Sequence, residues 1–565
     1  MKKLIFLFLV HITIAQAFLS QAYAAQRNEI SVDESTLNKK SLIKEVKGEN
    51  PDLQNLESRK KAFSNSAIKE EHGGNEPTYL ILSVRTPMKM SLHKILSEIP
   101  AERLLLIAGS KSFSEEEKTE LSPFYNTIVR VENYRDSGNL ESEVYKLYKK
   151  KPFQKVIAYH EYDLLRAAKI RDFFHLEGQS YHSALAFRDK ILMKNLLLKA
   201  GIQVPSFARI NSPIDILEFA QVNGFPVVVK PIFGTGADGV FILHNAEEVE
   251  KFISDYKGFN DYHLTDLEIE SFIKGTTYHV DGFIHNGKII ASWPSVCINH
   301  SVDLKKGAFV AHHHLSPQNP MVKRLNNYTK SVLQALPTPK DTAFLLEVFY
   351  DESKDKIIFC EIATRVGGGV KEMWPEAFGI DLENEFIRMQ AGLTPSTKLT
   401  NFFASSNKFP ITLNTISGWI IFPKPLGVLK SVPQTTPFPW VKEYILRVEP
   451  QVLNLPTKNI SDSLASAFIV ADSENQFKER AALLNSWLQE QSQWDKASIS
   501  PTRIKCIEDC EESIKQIEKI DNDQTKKFVK IQEQCIETQK KEPDGSFIAL
   551  VKDRLIRLRD YFRGL

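Results

Sequence analysis

Short apolar runs alternate with amphipathic stretches from residue 78 onward. Tyr79–Leu82 and Leu104–Ala108 are continuous apolar runs typical of buried strands, and similar runs follow at 128–131 and 156–159. Because strands that alternate with helices form parallel sheets, the pattern predicts a Rossmann-like α/β domain over residues 77–182. No glycine-rich turn follows the first run, so a dinucleotide site is not expected there.

Two further regions follow a central domain predicted at 183–395. Apolar runs at Gly418–Phe422 and Ala467–Ala471 predict strands of a lid-like α+β subdomain at 396–490. The tail at 491–565 carries one apolar stripe per helix, with spacings of three and four residues. These stripes suit a helical hairpin that packs on the chain's own body, or one that binds a partner helix. A homo-oligomer is a separate alternative.

The N-terminal end differs from the rest of the chain. Lys2 and Lys3 precede an apolar run, and Ala22-Tyr23-Ala24 supplies the small residues of a cleavage site. We therefore predict a signal peptide at 1–24 and an exported protein without a stable membrane anchor, with the cytoplasm of the bacterium or of a recipient cell as the alternative. Residues 25–76 are rich in polar side chains and predict a disordered linker.

Composition narrows the possible partners. The 565 residues are 42% hydrophobic and 25% charged, as in soluble globular proteins. A formal net charge of +2 gives no strong positive field, so we expect no nucleic-acid partner. Five cysteines are too few, and odd in number, for a disulfide framework.

Residues 226–239 carry the strongest chemical signal. A β-branched run ends in Lys230, and Gly234, Gly236 and Gly239 follow it. Lysine neutralises phosphate oxygens, and glycines let backbone N–H groups approach a polyphosphate. We predict a strand followed by a flap that binds the phosphates of ATP.

Two more segments fit a nucleotide. Asp189 is placed to cap a helix and so to project Lys190 as a second cation. Glu270, with the backbone of Phe272 and Ile273, offers the acidic group and the apolar edge that an adenine requires. An ordinary strand edge and turn is the alternative for this second segment.

A pair of carboxylates follows on two predicted strands. Glu347 and Glu361 flank the polar turn at 351–356, and antiparallel strands around that turn place the two side chains on one face. Carboxylates so close repel each other unless a hard cation lies between them, which predicts Mg²⁺ or Mn²⁺. Arg365 comes next and is placed to bind the transferring phosphoryl group. The glycines at 367–369 follow it and leave space for a substrate.

These elements, in this order, resemble the ATP-grasp superfamily, specifically its carboxylate–amine ligases. The resemblance covers residues 78–490 and includes the segment Tyr159–Asp163. The chain looks like L-amino-acid ligases and carnosine synthase, and more distantly like D-alanine–D-alanine ligase and biotin carboxylase. It implies a multidomain chain of the α/β and α+β classes with an ATP-grasp fold. It also implies that Lys190 and Lys230 contact the phosphates and that Glu270 and Ile273 contact the adenine. Glu347 and Glu361 would bind magnesium, and Arg365 would bind the transferred phosphoryl group.

Two positions depart from the family pattern. Thr277 stands where relatives often carry a ribose-binding glutamate, so Asp281 or Glu268 is considered for that contact, and Ala363 stands where a third metal ligand, asparagine, is usual. The run His312–His314 invites a metal interpretation, but consecutive strand residues point to opposite faces. We expect one of them to face the substrate, or the run to form a polar loop.

The resemblance implies ATP-dependent joining of a small carboxylate, activated as an acyl phosphate, to an amine, with release of ADP and phosphate. A catalytically weak ATP-binding module that acts through a partner of the tail is the alternative.

Overall fold

A computed structural model describes the chain from residue 76 to residue 495 with short gaps. The described residues are 76–84, 92–110, 114–135, 137–256, 267–406, 413, 415–451, 453–457, 460 and 462–495. The predicted signal peptide, all of the predicted linker except its last residue, and the tail beyond residue 495 lie outside them. Among the described residues, no helix combines the length and apolar character needed to cross a bilayer.

The first part is a four-stranded parallel sheet in the order β3-β2-β1-β4. The strands are β1 (Tyr79–Ser83), β2 (Leu104–Gly109), β3 (Thr127–Val131) and β4 (Lys155–Ala158). The helices are α1 (Leu92–Ile95), α2 (Glu115–Leu121), α3 (Asn139–Lys150), α4 (Leu164–Phe174) and α5 (Tyr181–Ala186). Alternate residues of β1 enter different apolar clusters, with Leu80 in one and Ile81 in the other. Burial on both faces explains the continuous apolar runs, and the predicted parallel sheet is confirmed.

Two antiparallel sheets follow in the central region. The smaller has the order β5-β8-β6-β7, and the larger has the order β13-β12-β9-β10-β11-β14-β18-β16. Its last three strands, β14 (Ile416–Phe422), β18 (Ala465–Ala471) and β16 (Val441–Leu446), come from the C-terminal part of the described chain. The strands of the smaller sheet are β5 (Phe207–Arg209), β6 (Val227–Pro231), β7 (Phe241–Leu243) and β8 (Leu267–Ser271). Those of the larger sheet up to residue 363 are β9 (Thr276–His285), β10 (Lys288–Ile298), β11 (Val310–His314), β12 (Thr342–Asp351) and β13 (Lys356–Ala363). The helices in and after this region are α6 (Lys190–Lys199), α7 (Ile214–Asn223), α8 (Ala246–Asp255), α9 (Pro320–Ala335), α10 (Val370–Phe378), α11 (Leu382–Ala391) and α12 (Thr397–Ser406).

Two hairpins of the larger sheet contain a one-residue register shift. Phe359 pairs with Val348, but Glu361 pairs with Glu347, so Cys360 is an extra residue in β13. In the same way, Ile290 is extra in β10 where it pairs with β9. Such β-bulges occur frequently beside active sites, where they change the alignment of side chains.

The C-terminal strands continue the larger sheet. β14 (Ile416–Phe422) pairs with β11, and β18 (Ala465–Ala471) pairs with β14 and with β16 (Val441–Leu446). A second small sheet contains β15 (Gly427–Ser431), β17 (Leu453–Asn454) and β19 (Gln493–Asp495), and α13 (Glu474–Gln491) precedes β19. The strand β19 corrects the prediction that the helical tail begins at 491. The predicted boundary between residues 395 and 396 stays a prediction, although the strands on its two sides pair in one sheet.

Candidate active site

A cluster of two lysines and two glutamates lies between the smaller sheet and α6. Lys230 lies on β6, opposite Glu268 of β8, and Lys194 is one turn after the start of α6. Lys194 Nζ lies 2.5 Å from Glu270 Oε2 and 2.8 Å from Glu268 Oε1, and Lys230 Nζ lies 2.5 Å from Glu270 Oε1. All four side chains are buried, and each has an opposite charge within ion-pair distance.

The charges of this cluster compensate one another. Burial alone would raise the pKa of Glu270, but Lys194 and Lys230 outweigh it and hold that pKa well below its usual range. Burial alone would lower the pKa of Lys230, but Glu270 outweighs it and keeps the lysine charged. The predicted phosphate-binding lysine is therefore a fixed cation. Sequence reasoning missed Lys194, although its position four residues after Lys190 on one helix face was a usable signal.

Lys190 connects the flap with the larger sheet. Asp189 caps α6, as predicted, and accepts hydrogen bonds from the N–H groups of Ile191 and Leu192 at 2.9 Å each. Lys190 Nζ donates to the carbonyl oxygen of Gly234 at 2.9 Å and lies 2.9 Å from Glu361 Oε2. The ammonium group of Lys190 thus contacts both the predicted flap, at Gly234, and the predicted metal ligand Glu361.

The flap needs glycine at two of its predicted positions. Gly236 and Gly239 have φ of +65° and +68°, a region that side chains disfavour. A Cβ at Gly239 would also lie 2.9 Å from Pro231 Cγ. The flap therefore turns back onto the end of β6, close to Lys230.

Glu347 and Glu361 are direct cross-strand partners, which confirms their predicted pairing. Their side chains are 25% and 26% exposed, so the pair is open to a ligand. Burial and the neighbouring charge of Glu361 raise the pKa of Glu347. Burial would also raise the pKa of Glu361, but Lys190 and Lys230 outweigh it and lower that pKa. The oxygen donors and their incomplete charge compensation fit a hard divalent cation such as Mg²⁺ or Mn²⁺.

Arg365 is held by a carboxylate from the first α/β region. Its Nε donates to Glu161, which also accepts a hydrogen bond from Arg188 Nη1 at 2.5 Å. Arg188 Nη2 donates to the carbonyl oxygen of Phe233 at 2.6 Å, and Arg365 Nη2 donates to Thr235 Oγ1 at 3.5 Å. Both arginines therefore also contact the flap. Burial would raise the pKa of Glu161, but Arg365 and Arg188 outweigh it and lower that pKa.

The predicted adenine-binding segment lies at the end of β8. Phe272 donates its N–H to the carbonyl oxygen of Pro226 at 3.2 Å, and Ile273 follows it. The Glu270 carboxylate contacts Lys194 and Lys230, as described above. The assignment of Glu270, Phe272 and Ile273 to adenine stays a prediction.

The residues considered for a ribose contact have other neighbours. Thr277 Oγ1 lies 2.9 Å from His300 Nδ1. Glu268 and Asp281 are 0% and 2% exposed, which is unfavourable for binding a ribose. Burial raises the pKa of Asp281 to about 7, and its Oδ1 accepts a hydrogen bond from the N–H of Gly367 at 3.3 Å.

The run His312–His314 lies in β11 and is buried, so the expectation of a polar loop is wrong. His312 stacks on Trp419 with ring centroids 4.6 Å apart. Its ring also contacts the sulfur of Cys297 on β10, and Cys297 in turn contacts His279 on β9. Sequence reasoning did not identify this group, since three strands bring it together.

The geometry can be compared with known proteins. Residues 187–389 match the family of RimK-like ATP-grasp domains. An L-arginine-specific L-amino acid ligase of Bacillus subtilis is 26% identical over 275 residues, which are 48% of this chain and 65% of the ligase. The match thus spans a little less than two thirds of that relative.

Solved structures show the same fold. An L-amino acid ligase from Bacillus licheniformis has a TM-score of 0.55 at 16% identity, over 75% of this chain and 100% of that one. The biotin carboxylase domain of a 2-oxoglutarate carboxylase from Hydrogenobacter thermophilus, solved with MgADP, ADP and bicarbonate, has a TM-score of 0.52 at 14% identity, over 77% and 94% of the two chains. The predicted α/β class and ATP-grasp fold are confirmed.

Proposed function

We propose that this chain, whose residues 187–389 are a RimK-like ATP-grasp domain, is an ATP-dependent carboxylate–amine ligase. The observation that carries the proposal is the position of Lys190. Its ammonium group contacts both the flap carbonyl of Gly234 and the carboxylate of Glu361, each at 2.9 Å. A triphosphate held by the flap would therefore meet the carboxylate pair at its reacting end.

The residues of the site have distinct roles in this proposal. Lys190 and Lys230 bind the α- and β-phosphates, and Arg365 stabilises the charge on the transferred phosphoryl group. Mg²⁺ or Mn²⁺, held by Glu347 and Glu361, would neutralise the phosphate oxygens when bound. The flap at 232–239 excludes water, because an acyl phosphate would otherwise hydrolyse before an amine attacks it.

The carboxylate of the first substrate attacks the γ-phosphorus, and the bond from that phosphorus to the β,γ-bridging oxygen breaks to release ADP. The amine of the second substrate then attacks the acyl carbon, the carbon–oxygen bond to phosphate breaks, and the amine loses a proton to solvent. An amide and inorganic phosphate result. An amino acid as the activated carboxylate is supported by the similarity to the Bacillus subtilis ligase.

The proposal is tested by measuring phosphate release in a screen of carboxylate and amine pairs. We expect release only when both substrates are present. Glu361→Gln should lower it by about 100-fold or more, since the metal ion that would stabilise transition-state charge loses one of its two predicted ligands. Glu479→Gln, on the exposed surface of α13, serves as the matched control and should retain activity.

Equal phosphate release by the wild type and Glu361→Gln would contradict the assigned metal pair. Tight ATP binding without release for any pair would contradict the ligase and support the alternative of a binding module whose partner engages the tail.

A further inference from the structure

Three soft or borderline ligand groups meet on one face of the larger sheet, next to the carboxylate pair. Cys297 of β10 lies directly opposite His312 of β11, and His279 of β9 lies opposite Ser295, two residues before Cys297. Residues that lie opposite each other, or two apart on one strand, point to the same face. The strand order therefore makes His279, Cys297 and His312 neighbours.

The distances within this cluster are close to those of a tetrahedral metal site. Cys297 Sγ lies 3.7 Å from His279 Nε2 and 3.3 Å from both Nδ1 and Nε2 of His312, so the His312 ring must turn for one of its two nitrogens to bind the metal. Zinc bonds of about 2.3 Å to sulfur and about 2.0–2.1 Å to nitrogen, at tetrahedral angles, place sulfur and nitrogen about 3.6 Å apart. The candidate ligand atoms of all three residues lie within 4.8 Å of one another.

A hydrogen-bonded thiol explains the cluster less completely. Within the part of the chain that the structure describes, the hydrogen bonds of the His312 ring go to the Cys297 sulfur alone. The same sulfur is the neighbour of His279. A thiol has one proton and is a weak partner, whereas one cation would satisfy two imidazoles and a thiolate together.

We propose that His279, Cys297 and His312 bind a borderline-soft divalent cation, Zn²⁺, at a site distinct from the predicted Mg²⁺ pair. Thiolate and imidazole ligands select Zn²⁺ over Mg²⁺, while the carboxylates of Glu347 and Glu361 favour the hard ion. Binding forms a zinc–sulfur bond and releases the thiol proton of Cys297 to solvent. Three protein ligands leave a fourth position open, as in sites that also bind a small ligand.

The two sites are neighbours but chemically separate. His279 lies opposite Glu347, and its Nε2 is 3.6 Å from Glu347 Oε2. On this face of the sheet, β13 and β12 carry carboxylates, whereas the next three strands, β9, β10 and β11, carry imidazole and thiol groups. A cation at the soft site would stand beside the proposed phosphoryl-transfer site.

The test uses the full chain with Co²⁺ as a spectroscopic probe for Zn²⁺. We expect a thiolate-to-cobalt absorption band that persists in excess Mg²⁺ and disappears when Zn²⁺ is added. Cys297→Ser should abolish the band and weaken Zn²⁺ binding by about 100-fold or more, because loss of a ligand costs more than the 10–100-fold loss for its supporting partners. Cys360→Ser, a second cysteine of intermediate burial on β13, should retain the band.

A second pair of variants separates the metal site from folding. His312→Gln should lose Zn²⁺ affinity, whereas His313→Gln, which changes the neighbouring buried residue on the opposite face, should retain it. Trp419 offers a readout in the wild type, since its indole stacks on His312 and bound Co²⁺ should quench its fluorescence.

Absence of a thiolate band in the wild type would overturn the proposal, as would a band that survives Cys297→Ser. These readouts do not involve ATP turnover, so the metal site and the ligase activity can fail independently.

Discussion

The two charged clusters of the candidate site differ in how their charges are compensated. Lys194 and Lys230 face Glu268 and Glu270 in a buried group in which every member has an opposite charge nearby. Across the site, Glu347 lies directly opposite Glu361 and has His279 as its neighbour at 3.6 Å. The comparison separates two roles of buried charge. The first cluster fixes the shape and charge of a binding surface, and the second retains unbalanced charge that a cation can neutralise.

The largest expected effect is a loss of stability in the compensated cluster. Lys194→Met removes a fully buried cation and leaves Glu268 with only Lys230, at 3.6 Å. Breaking such a buried pair costs about 3–5 kcal/mol, so the free energy of unfolding in urea should fall by that amount. Lys199→Met, on the exposed end of the same helix, should change it by less than about 0.5 kcal/mol. Equal stability of the two variants would show that Lys194 is not structurally required.

The second prediction concerns the incompletely compensated pair Glu347 and Glu361, which a cation should stabilise. At a Mg²⁺ concentration about 100 times the dissociation constant, the free energy of unfolding should rise by about 2.7 kcal/mol relative to EDTA, provided that the unfolded chain does not bind the ion. Thermal unfolding with and without Mg²⁺ measures this. Glu347→Gln should lose the effect and Glu479→Gln should keep it, so an unchanged Mg²⁺ response in Glu347→Gln would place the ion elsewhere.

Glu161 tests whether the position of Arg365 depends on the first α/β region. Glu161→Gln keeps the size of the side chain but leaves Arg188 and Arg365 without their shared carboxylate. We expect a stability loss of about 1–3 kcal/mol. Phosphate release should also fall, mainly through kcat, because Arg365 is no longer held beside the flap. An exposed change in the same region, Glu132→Gln, is the control. Normal kcat in Glu161→Gln would show that Arg365 needs no support from this residue.

The smallest expected effect is a pH dependence. Burial and Glu361 raise the pKa of Glu347 above its ordinary value of 4.5. Between these two pKa values, Glu347 is protonated in the folded protein and ionised in the unfolded chain. Without divalent cations, the free energy of unfolding should therefore fall as the pH rises from 4.5 toward the raised pKa. Glu347→Gln removes this contribution, and its curve should be flatter over that pH range. Parallel curves for the wild type and the variant would contradict the raised pKa.

Local patterns in the sequence predicted those parts of the site that neighbouring residues determine. The β-branched run before Lys230 forms a strand, and Asp189 caps α6, because both depend on adjacent backbone. Lys194 was missed, and Glu268 was considered only for a ribose contact, because their pairing depends on how a helix packs against a sheet. The contact of Glu161 with Arg365 joins residues 204 positions apart, and no local pattern indicates it.

The predicted pairing of Glu347 with Glu361 is confirmed, but the reasoning behind it did not include a β-bulge. Counting outward from the turn between β12 and β13 would place Glu347 opposite Cys360, because Val348 lies opposite Phe359. The bulge at Cys360 shifts the register by one residue and aligns the two glutamates. The sequence contains both glutamates, but the bulge that aligns them is a property of the folded sheet.

That bulge also determines which changes in chain length the site can tolerate. Deleting Cys360 would leave Phe359 opposite Val348 and Glu361 opposite Glu347, so every flanking side chain would keep its face. Deleting Ile358 instead would turn Phe359, which is fully buried, toward the opposite face. Among related chains, we therefore expect single-residue gaps in this strand to fall at position 360, where the backbone already carries one residue more than its partner.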